Sequence, residues 1–519
     1  KYRQEAWFQF DGNTQLALQI KFGVDSANAV LRTNTLPAHL WRVMWYDADL
    51  SRSQARETFE LSLTPGGKVV GLRHDIQDTA SGASLTEEQA RTLAEQFLVE
   101  QGVDLSQLKL KSSSRVSRQN RLDYNFDWVG RDTTLQLGVW VRIQGNEVGG
   151  YKQWLEQDAG FEATSSETAT HATLLGTVSF ATLFLLFFFI VIFFLKKYHD
   201  GEVGVRTGLL VFIGLYAVYL LGAINTFNSL GTTARMADLN QFYVRLVLFA
   251  LNVLVLYVFL SVMVLAAWSV GESYSRSLWP RKLAGIDSLL FRRFFTVDVG
   301  EGIARGYALG ALMLGVFAVL GYFAVRHLPT GFYVLTASGT TDGLVPAAGA
   351  ILNGIEAALF SEVVFRLFFL SILQEKIKSK WLGAVISSVL WAVAMFPFWP
   401  MPFGFLQLPV TVAVFFVFGM LLSFIFLKYD LLTAIAANFI LVGLPSAIPL
   451  FASDSSYFEV QTVLFLLIAI APLGVAAVGY ARKERFEMKA ELVPEHVKRI
   501  SERERMAKEL EIARRVQMS

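Results

Sequence analysis

Glu362 and Arg366 stand four residues apart in "LFSEVVFRLFFL" (359–370), a run that is otherwise apolar except for Ser361. A carboxylate can act on water as a base, and a guanidinium can neutralise it. Residues four apart lie one turn apart on one helical face, where acid and base can pair. An ionised carboxylate in hydrocarbon costs several kcal/mol, so the pair is either a structural ion pair inside a bundle or part of a functional site. Glu356, six residues earlier, lies about 240° around the helix and cannot share a face with Glu362.

The surroundings of that pair follow from composition. The chain has 519 residues, of which 53% are hydrophobic and 17% charged, with 43 Phe and no Cys. Several apolar runs are long enough to cross a bilayer, so the expected class is a polytopic membrane protein. A net charge of +2 gives no indication of nucleic-acid binding. Without cysteine there are no disulfides or thiolate metal sites. The first residue is Lys1, which suggests that an N-terminal anchor or signal has been left out.

Residues 1–168 read as a separate α+β domain. "ETFELSLTPGGKVVGLRHDI" (57–76) alternates on both sides of Pro65, Gly66 and Gly67, as a β-hairpin does. In "SLTEEQARTLAEQFLVEQG" (84–102), Thr86 and Gln89 have capping-box spacing and Ala90, Leu93, Ala94, Phe97 and Leu98 make one apolar face. Further strands follow in 124–130 and 133–156. The order of hairpin, helix and strands resembles PepSY-type domains attached to bacterial membrane proteins.

About nine apolar runs come next, near 172–195, 205–226, 242–268, 302–326, 345–373, 382–399, 408–427, 431–451 and 459–481. The basic connections "KKYHDGEVGVR", "RSLWPRKLAGIDSLLFRR", "QEKIKSK" and "ARKER" all fall on one side, which is therefore expected to be cytoplasmic. The N-terminal domain then lies outside and the C-terminus inside. This divides the chain into 1–168, N-terminal transmembrane helices at 169–300, a transmembrane bundle at 301–481 and a cytoplasmic coiled-coil linker at 482–519.

"SEVVFR" resembles the first signature, Glu-Glu-x-x-x-Arg, of the CPBP family of intramembrane proteases, the CAAX-processing and bacteriocin-processing type. "AVISSVLWAVAMFPF" resembles that family's second block, an aromatic followed four residues later by His. "FGMLLSFIFLKYDLLTAIAANFILVG" resembles the run into its His-x-x-x-Asn helix. The three blocks span about residues 345–445. In the family, the first Glu and second-block His are understood to activate water, and the third-block His and Asn to steady the oxyanion. Those four positions hold Ser361, Met395, Asn438 and Val442; only Glu362, Arg366 and the aromatic Trp391 match.

A hydrolase needs a group that takes a proton from water. Met395 cannot, and Asn438 offers a single donor to an oxyanion. No His lies between His327 and His496, which leaves no zinc donor set in the bundle. Glu362, Met395 and Asn438 nevertheless fall at a similar depth, roughly 12–20 Å from the inner face at 1.5 Å per residue. Trp391, Phe396, Phe398, Trp399 and Phe403 read as an interfacial aromatic belt. The expected role of Glu362 with Arg366 is a structural ion pair fixing the fifth span against the sixth and eighth.

The tail changes character. Pro494 breaks or starts a helix. Ile500, Ala507, Leu510, Ala513 and Val516 then form an apolar stripe of short coiled-coil type, expected to dimerise. "ERERMAKELEIARRVQMS" resembles the helix leading into SpoIIE-like, PPM-type serine phosphatase domains, through Glu509, Leu510, Ala513, Arg514 and Gln517. That resemblance implies a phosphatase following Ser519, with Mg or Mn only there and no cofactor in the chain itself.

The sequence thus leads to a mainly α bundle in the bacterial inner membrane, with an outer α+β domain and a cytoplasmic helix. Its expected function is a sensor or transducer with a catalytically inactive protease-like bundle. The expected partners are membrane lipids, a peptide, lipid or prenyl-like ligand in the bundle, and a second copy through the tail. The rival functions are an active CAAX-protease-like endopeptidase using Glu362 and a scaffold subunit of a membrane complex.

Overall fold

The computed structural model of the protein describes residues 2–10, 12–33, 39–47, 57–131, 136–156, 159–227, 230, 241–327, 343–395, 408–451, 455–487, 506 and 509–510. Strand β1 (Tyr2–Phe10) leads into helices α1 (Gly12–Phe22) and α2 (Val24–Arg32). Strands β2 (His39–Asp47), β3 (Glu57–Leu63) and β4 (Val69–Ile76) follow, then helix α3 (Glu87–Glu100). Four more strands complete the region: β5 (Leu108–Ser117), β6 (Leu122–Gly130), β7 (Leu137–Gln144) and β8 (Glu147–Leu155).

All eight strands join one antiparallel sheet in the order β1-β2-β3-β4-β8-β7-β6-β5. Each half supplies a helical element and four adjacent strands, and the halves meet where Leu72 of β4 pairs with Tyr151 of β8. The β3–β4 turn closes with Gly67 at φ +83°, a left-handed position that suits glycine. At the start of α3, the Thr86 hydroxyl accepts from Gln89 N at 3.3 Å while Gln89 Oε1 accepts from Thr86 N at 3.0 Å. The apolar face of α3 then buries Ala90, Ala94 and Leu98 against Phe126, Trp128, Val139, Val141 and Ile143. Helices α1 and α2 were missed in the sequence: α2 carries a short apolar stripe through Ala27 and Leu31, but neither helix opens with a capping box.

The remaining elements are helical. They are α4 (Ala159–His199), α5 (Val205–Asn225), α6 (Gln241–Leu251), a π segment (Asn252–Leu256), α7 (Tyr257–Leu278), α8 (Ala284–Leu290) and α9 (Val297–His327). Then come α10 (Pro346–Ser361), a second π segment (Glu362–Leu370), α11 (Ser371–Ile377), α12 (Lys380–Met395), α13 (Leu408–Lys428), α14 (Leu431–Phe451) and α15 (Ser456–Arg482).

Among the described residues, six helices are long and apolar enough to cross a membrane: Thr173–His199, Val205–Asn225, Phe242–Leu278, Val297–Phe323, Leu431–Phe451 and Ser456–Arg482. They coincide with six of the nine expected runs. Of the other three, 345–373 is helical but carries Glu356, Glu362 and Arg366, while Lys380–Met395 and Val412–Lys428 are shorter apolar helices. The count of nine crossings therefore rests, for these three, on the sequence.

Helix α14 is the centre of the bundle. Its apolar window is 67% buried, against 22% for α4, α5 and α15, whose exposed Phe, Leu and Val suit a lipid environment. Close approach makes this possible: Gly302, Gly306 and Gly310 of α9 face α14 one turn apart. A β-carbon on Gly306 would come within 2.4 Å of Ala436 Cβ and 2.7 Å of the Thr433 carbonyl. Small residues at such spacing let helix backbones approach closely.

Two polar devices fix the ends. Arg276 of α7 bonds bidentately to Asp287 of α8 (2.7 and 2.9 Å) and to Glu272 Oε1 (2.8 and 2.9 Å), while Trp268 Nε1 donates to Glu272 Oε2 at 3.0 Å. Lys282 Nζ donates to three carbonyls at the end of α13, those of Phe426 (2.8 Å), Leu427 (2.6 Å) and Tyr429 (2.6 Å). An ammonium has three N–H donors, so Lys282 satisfies carbonyls that a helix C-terminus otherwise leaves open.

Candidate functional site

The site forms on the π segment between α10 and α11. Bonds of the i→i+5 type widen the turn, and its carbonyls become available to neighbours. Ser387 of α12 donates to the Phe365 carbonyl at 2.6 Å, and Gly271 of α7 lets the Leu367 carbonyl approach to within 2.7 Å of where a β-carbon would stand. Every residue of the segment from Glu362 to Leu370 is buried.

Glu362 is fully buried, and its strongest partners are not on its own helix. Asn438 Nδ2, from α14, donates to Glu362 Oε1 at 2.8 Å and to Ser361 Oγ at 2.6 Å. Ser361 Oγ lies a further 3.4 Å from Glu362 Oε1. Arg366 Nη1 approaches Glu362 Oε1 only to 3.6 Å, a charge contact longer than a hydrogen bond.

Arg366 bonds elsewhere: its Nη2 donates to the Gly419 carbonyl of α13 at 3.1 Å, and its guanidinium lies 5.0 Å from the Trp391 ring centroid. Gly419 can come this close because its Cα has no side chain where Ser388 packs, 3.0 Å from a β-carbon built there. Cation–π stacking and the carbonyl contribute to the fit of a buried guanidinium in an apolar setting.

The expected ion pair is thus present as a contact, but each partner is held by a different helix. Glu362 joins the π segment to α14. Arg366 joins it to α12 and α13. The fifth span is tied to the sixth, seventh and eighth, one helix more than the sequence indicated.

The reading of Trp391 as an interfacial aromatic is corrected. Trp391 is 1% exposed, tilted against Phe415 at 5.8 Å and covered by Arg366, so it belongs to the interior. Periodicity could not reveal this, because the cation that holds it comes from another helix. Phe396, Phe398, Trp399 and Phe403 lie outside the described residues.

Met395 and Val442 are buried in the same apolar core as Trp391. Neither brings a titratable atom to Glu362. Val442 sits one helical turn after Asn438 on α14. Glu356 points away from the cluster: its Oε2 lies 3.9 Å from a β-carbon built on Gly222 of α5, as its angular separation from Glu362 requires.

Four polar atoms of Glu362, Asn438 and Arg366 make no hydrogen bond among the described residues: Glu362 Oε2, Asn438 Oδ1, Arg366 Nε and Arg366 Nη1. No group of three or more His, Asp or Glu side chains among the described residues could hold a metal ion. Chemically the cluster offers one carboxylate, one amide and one hydroxyl, locked to each other and shielded from solvent. The role of Ser361 as a partner of Asn438 was missed; the signal was its place beside Glu362 at the depth of Asn438.

Of the stripe expected to form a coiled coil, Ile500, Ala507, Ala513 and Val516 lie outside the described residues. Leu510 is helical and 71% exposed.

The fold and this cluster define the class: an integral membrane bundle built around a four-helix motif that has Glu and Arg on its first helix. Residues 343–443, which run from the start of α10 into α14, match the family described as type II CAAX prenyl endopeptidase Rce1-like. The match covers less than half of the chain and coincides closely with the 345–445 segment in which the three blocks were found. No curated protein and no solved structure matches the chain. The PepSY-like and SpoIIE-like resemblances find no support in these comparisons.

Proposed function

We propose that the protein is a membrane transducer whose protease-like bundle does not cleave peptides. One observation carries this reading: Glu362, the one carboxylate in the cluster, is buried, hydrogen-bonded by Asn438 and Ser361 and contacted by Arg366. A general base needs access to water, and burial denies it to both oxygens of Glu362, the unbonded Oε2 included. Where the family has its second water-activating residue, this chain has Met395.

In this reading the bundle binds a peptide, lipid or prenyl-like group and shifts between two packings. In it the N-terminal domain lies outside and the C-terminus in the cytoplasm, a reading that the basic connections support. In this reading the tail, as a dimer, carries the state of the bundle to a PPM-type serine phosphatase output beyond Ser519. A ligand can do this only if it binds the two packings with different affinities.

The test is cleavage of a farnesylated CAAX-type peptide by the purified chain. No cleavage is expected. Cleavage that disappears in Glu362→Gln would establish an active endopeptidase in place of a transducer. For the output, deletion of 482–519 should uncouple effector activity from the outer domain; a response that survives it removes the signalling role of the tail.

A further inference from the structure

The corner between α8 and α9 exposes a sequence that neither the bundle core nor the buried cluster uses, "FRRFF" (291–295). Phe291, Phe294 and Phe295 are 41%, 46% and 37% exposed, and Arg292 and Arg293 project between them into solvent. The end of α15 packs beside this corner. Phe291 stacks on Phe486 with ring centroids 5.8 Å apart, Val297 N donates to the Glu484 carbonyl at 2.8 Å, and Arg482 lies 5.0 Å from the Phe295 ring centroid.

The cations here divide into two sets. Arg281 and Arg485 pair with Asp298 (2.9 and 3.8 Å), and Arg485 also reaches Glu301 at 3.4 Å. Arg292, Arg293 and Lys483 are exposed and have no ion pair among the described residues. The nearby carboxylates Glu484 and Glu487 are exposed in the segment that leaves the bundle.

Backbone conformation adds a second observation. Arg292 (φ 59°) and Lys483 (φ 57°) occupy the left-handed region, one just beyond the end of α8 and the other at the end of α15. Glycine is the residue that ends helices there at least cost. Among the described residues, the third non-glycine residue in this region, Lys378, is also basic. Interaction with the helix dipole accounts for part of that preference. It does not account for Arg293 or for the three exposed Phe rings between which the cations stand.

We infer that this corner is a binding surface for anionic lipid headgroups, with Arg292, Arg293 and Lys483 on the phosphate and Phe291, Phe294 and Phe295 seated among the acyl-chain ends. Phe rings flanked by basic residues seat at the boundary between headgroups and acyl chains, and unpaired cations beside a membrane-crossing helix attract anionic lipid. The occupant is a lipid and not a soluble anion, because the rings need an apolar phase to cover them. The inference does not depend on the proposed function.

The test uses the full chain, purified in nonionic detergent and mixed with equal phosphatidylglycerol and phosphatidylcholine, with retained lipid counted by native mass spectrometry. Phosphatidylglycerol should be retained in excess, and raising NaCl from ~0.05 to ~0.5 M should release it by screening. The variant Arg292→Gly/Arg293→Gln/Lys483→Gly should lose the preference, by about fivefold in apparent affinity for each cation removed. Glycine relaxes both left-handed positions, so this variant keeps its fold, which its melting temperature will confirm. Equal retention of the two lipids by the parent chain overturns the inference. So does a folded triple variant that retains phosphatidylglycerol as the parent does.

Discussion

Asn438 Nδ2 donates to Glu362 Oε1 at 2.8 Å, so an amide on α14 holds the carboxylate of the π segment more closely than the neighbouring Arg366 does. The cluster is therefore a junction of four helices, and its members can be separated by mutation.

Arg366→Leu should lower the melting temperature of the purified protein strongly, because it leaves a buried carboxylate without its countercharge, a loss of about 3–5 kcal/mol. Asn438→Leu removes the shorter bond to Glu362 and should cost about 1.5–3 kcal/mol. In Glu362→Gln/Arg366→Leu the uncompensated charge is gone, so much of the single-variant loss should be recovered. Thermal unfolding of the four proteins in one detergent checks this. An Arg366→Leu protein that melts with the parent removes the structural role assigned to the pair.

Close helix approach gives a second prediction. A β-carbon at Gly271 would stand 2.7 Å from the Leu367 carbonyl, and at Gly306 it would stand 2.4 Å from Ala436 Cβ, whereas at Gly315 nothing lies within 4 Å. Gly271→Ala and Gly306→Ala should each destabilise by about 1–3 kcal/mol through overpacking. Gly315→Ala should be neutral or slightly stabilising, since alanine is the better helix former. Three unfolding curves that shift equally would refute the packing described for α7 and α9.

Lys282 provides the third. Lys282→Met keeps most of the apolar stem but strands the carbonyls of Phe426, Leu427 and Tyr429. A loss of about 2 kcal/mol or more is expected for removing a charged donor from buried acceptors. The end of α13 should fray first, visible as faster backbone hydrogen exchange in the segment before Tyr429 than in α14. Uniform exchange in both would count against the cap.

These residues also show how far the sequence could be read. The hairpin through Gly67 and the capping box of Thr86 and Gln89 were legible because their signals are local: a turn and a three-residue spacing. Six long apolar runs were legible because a bilayer sets their length. The segment 343–443 was legible because Glu362, Arg366 and the later blocks keep their order on successive helices.

What failed was non-local. Trp391 was read from the company of nearby aromatics, but Arg366, reaching across from another helix, decides its place. Arg276 reaches Asp287 across a turn that no periodicity marks, although its pair with Glu272 has ordinary i,i+4 spacing. The pairing of Asn438 with Ser361 and Glu362 joins α14 to the start of a π turn, and nothing in "EVVFRLFFL" distinguishes that turn from an ordinary helical one. A composition of bulky apolar residues suits both geometries; the neighbours Gly271 and Ser387 favour the wider one.

The nine-residue π segment has a consequence for how the gene can vary. A π turn holds about one residue more than an α turn, so the segment stores spare chain length in the centre of the bundle. Loss of a single codon within 363–365 or 367–369 can be absorbed by local tightening to α geometry, with α10 and α11 left facing as they do now. The same loss within α14 would rotate Asn438 by about 100° away from Glu362. Length polymorphism in this motif should therefore be confined to one helix, the one that carries the acid.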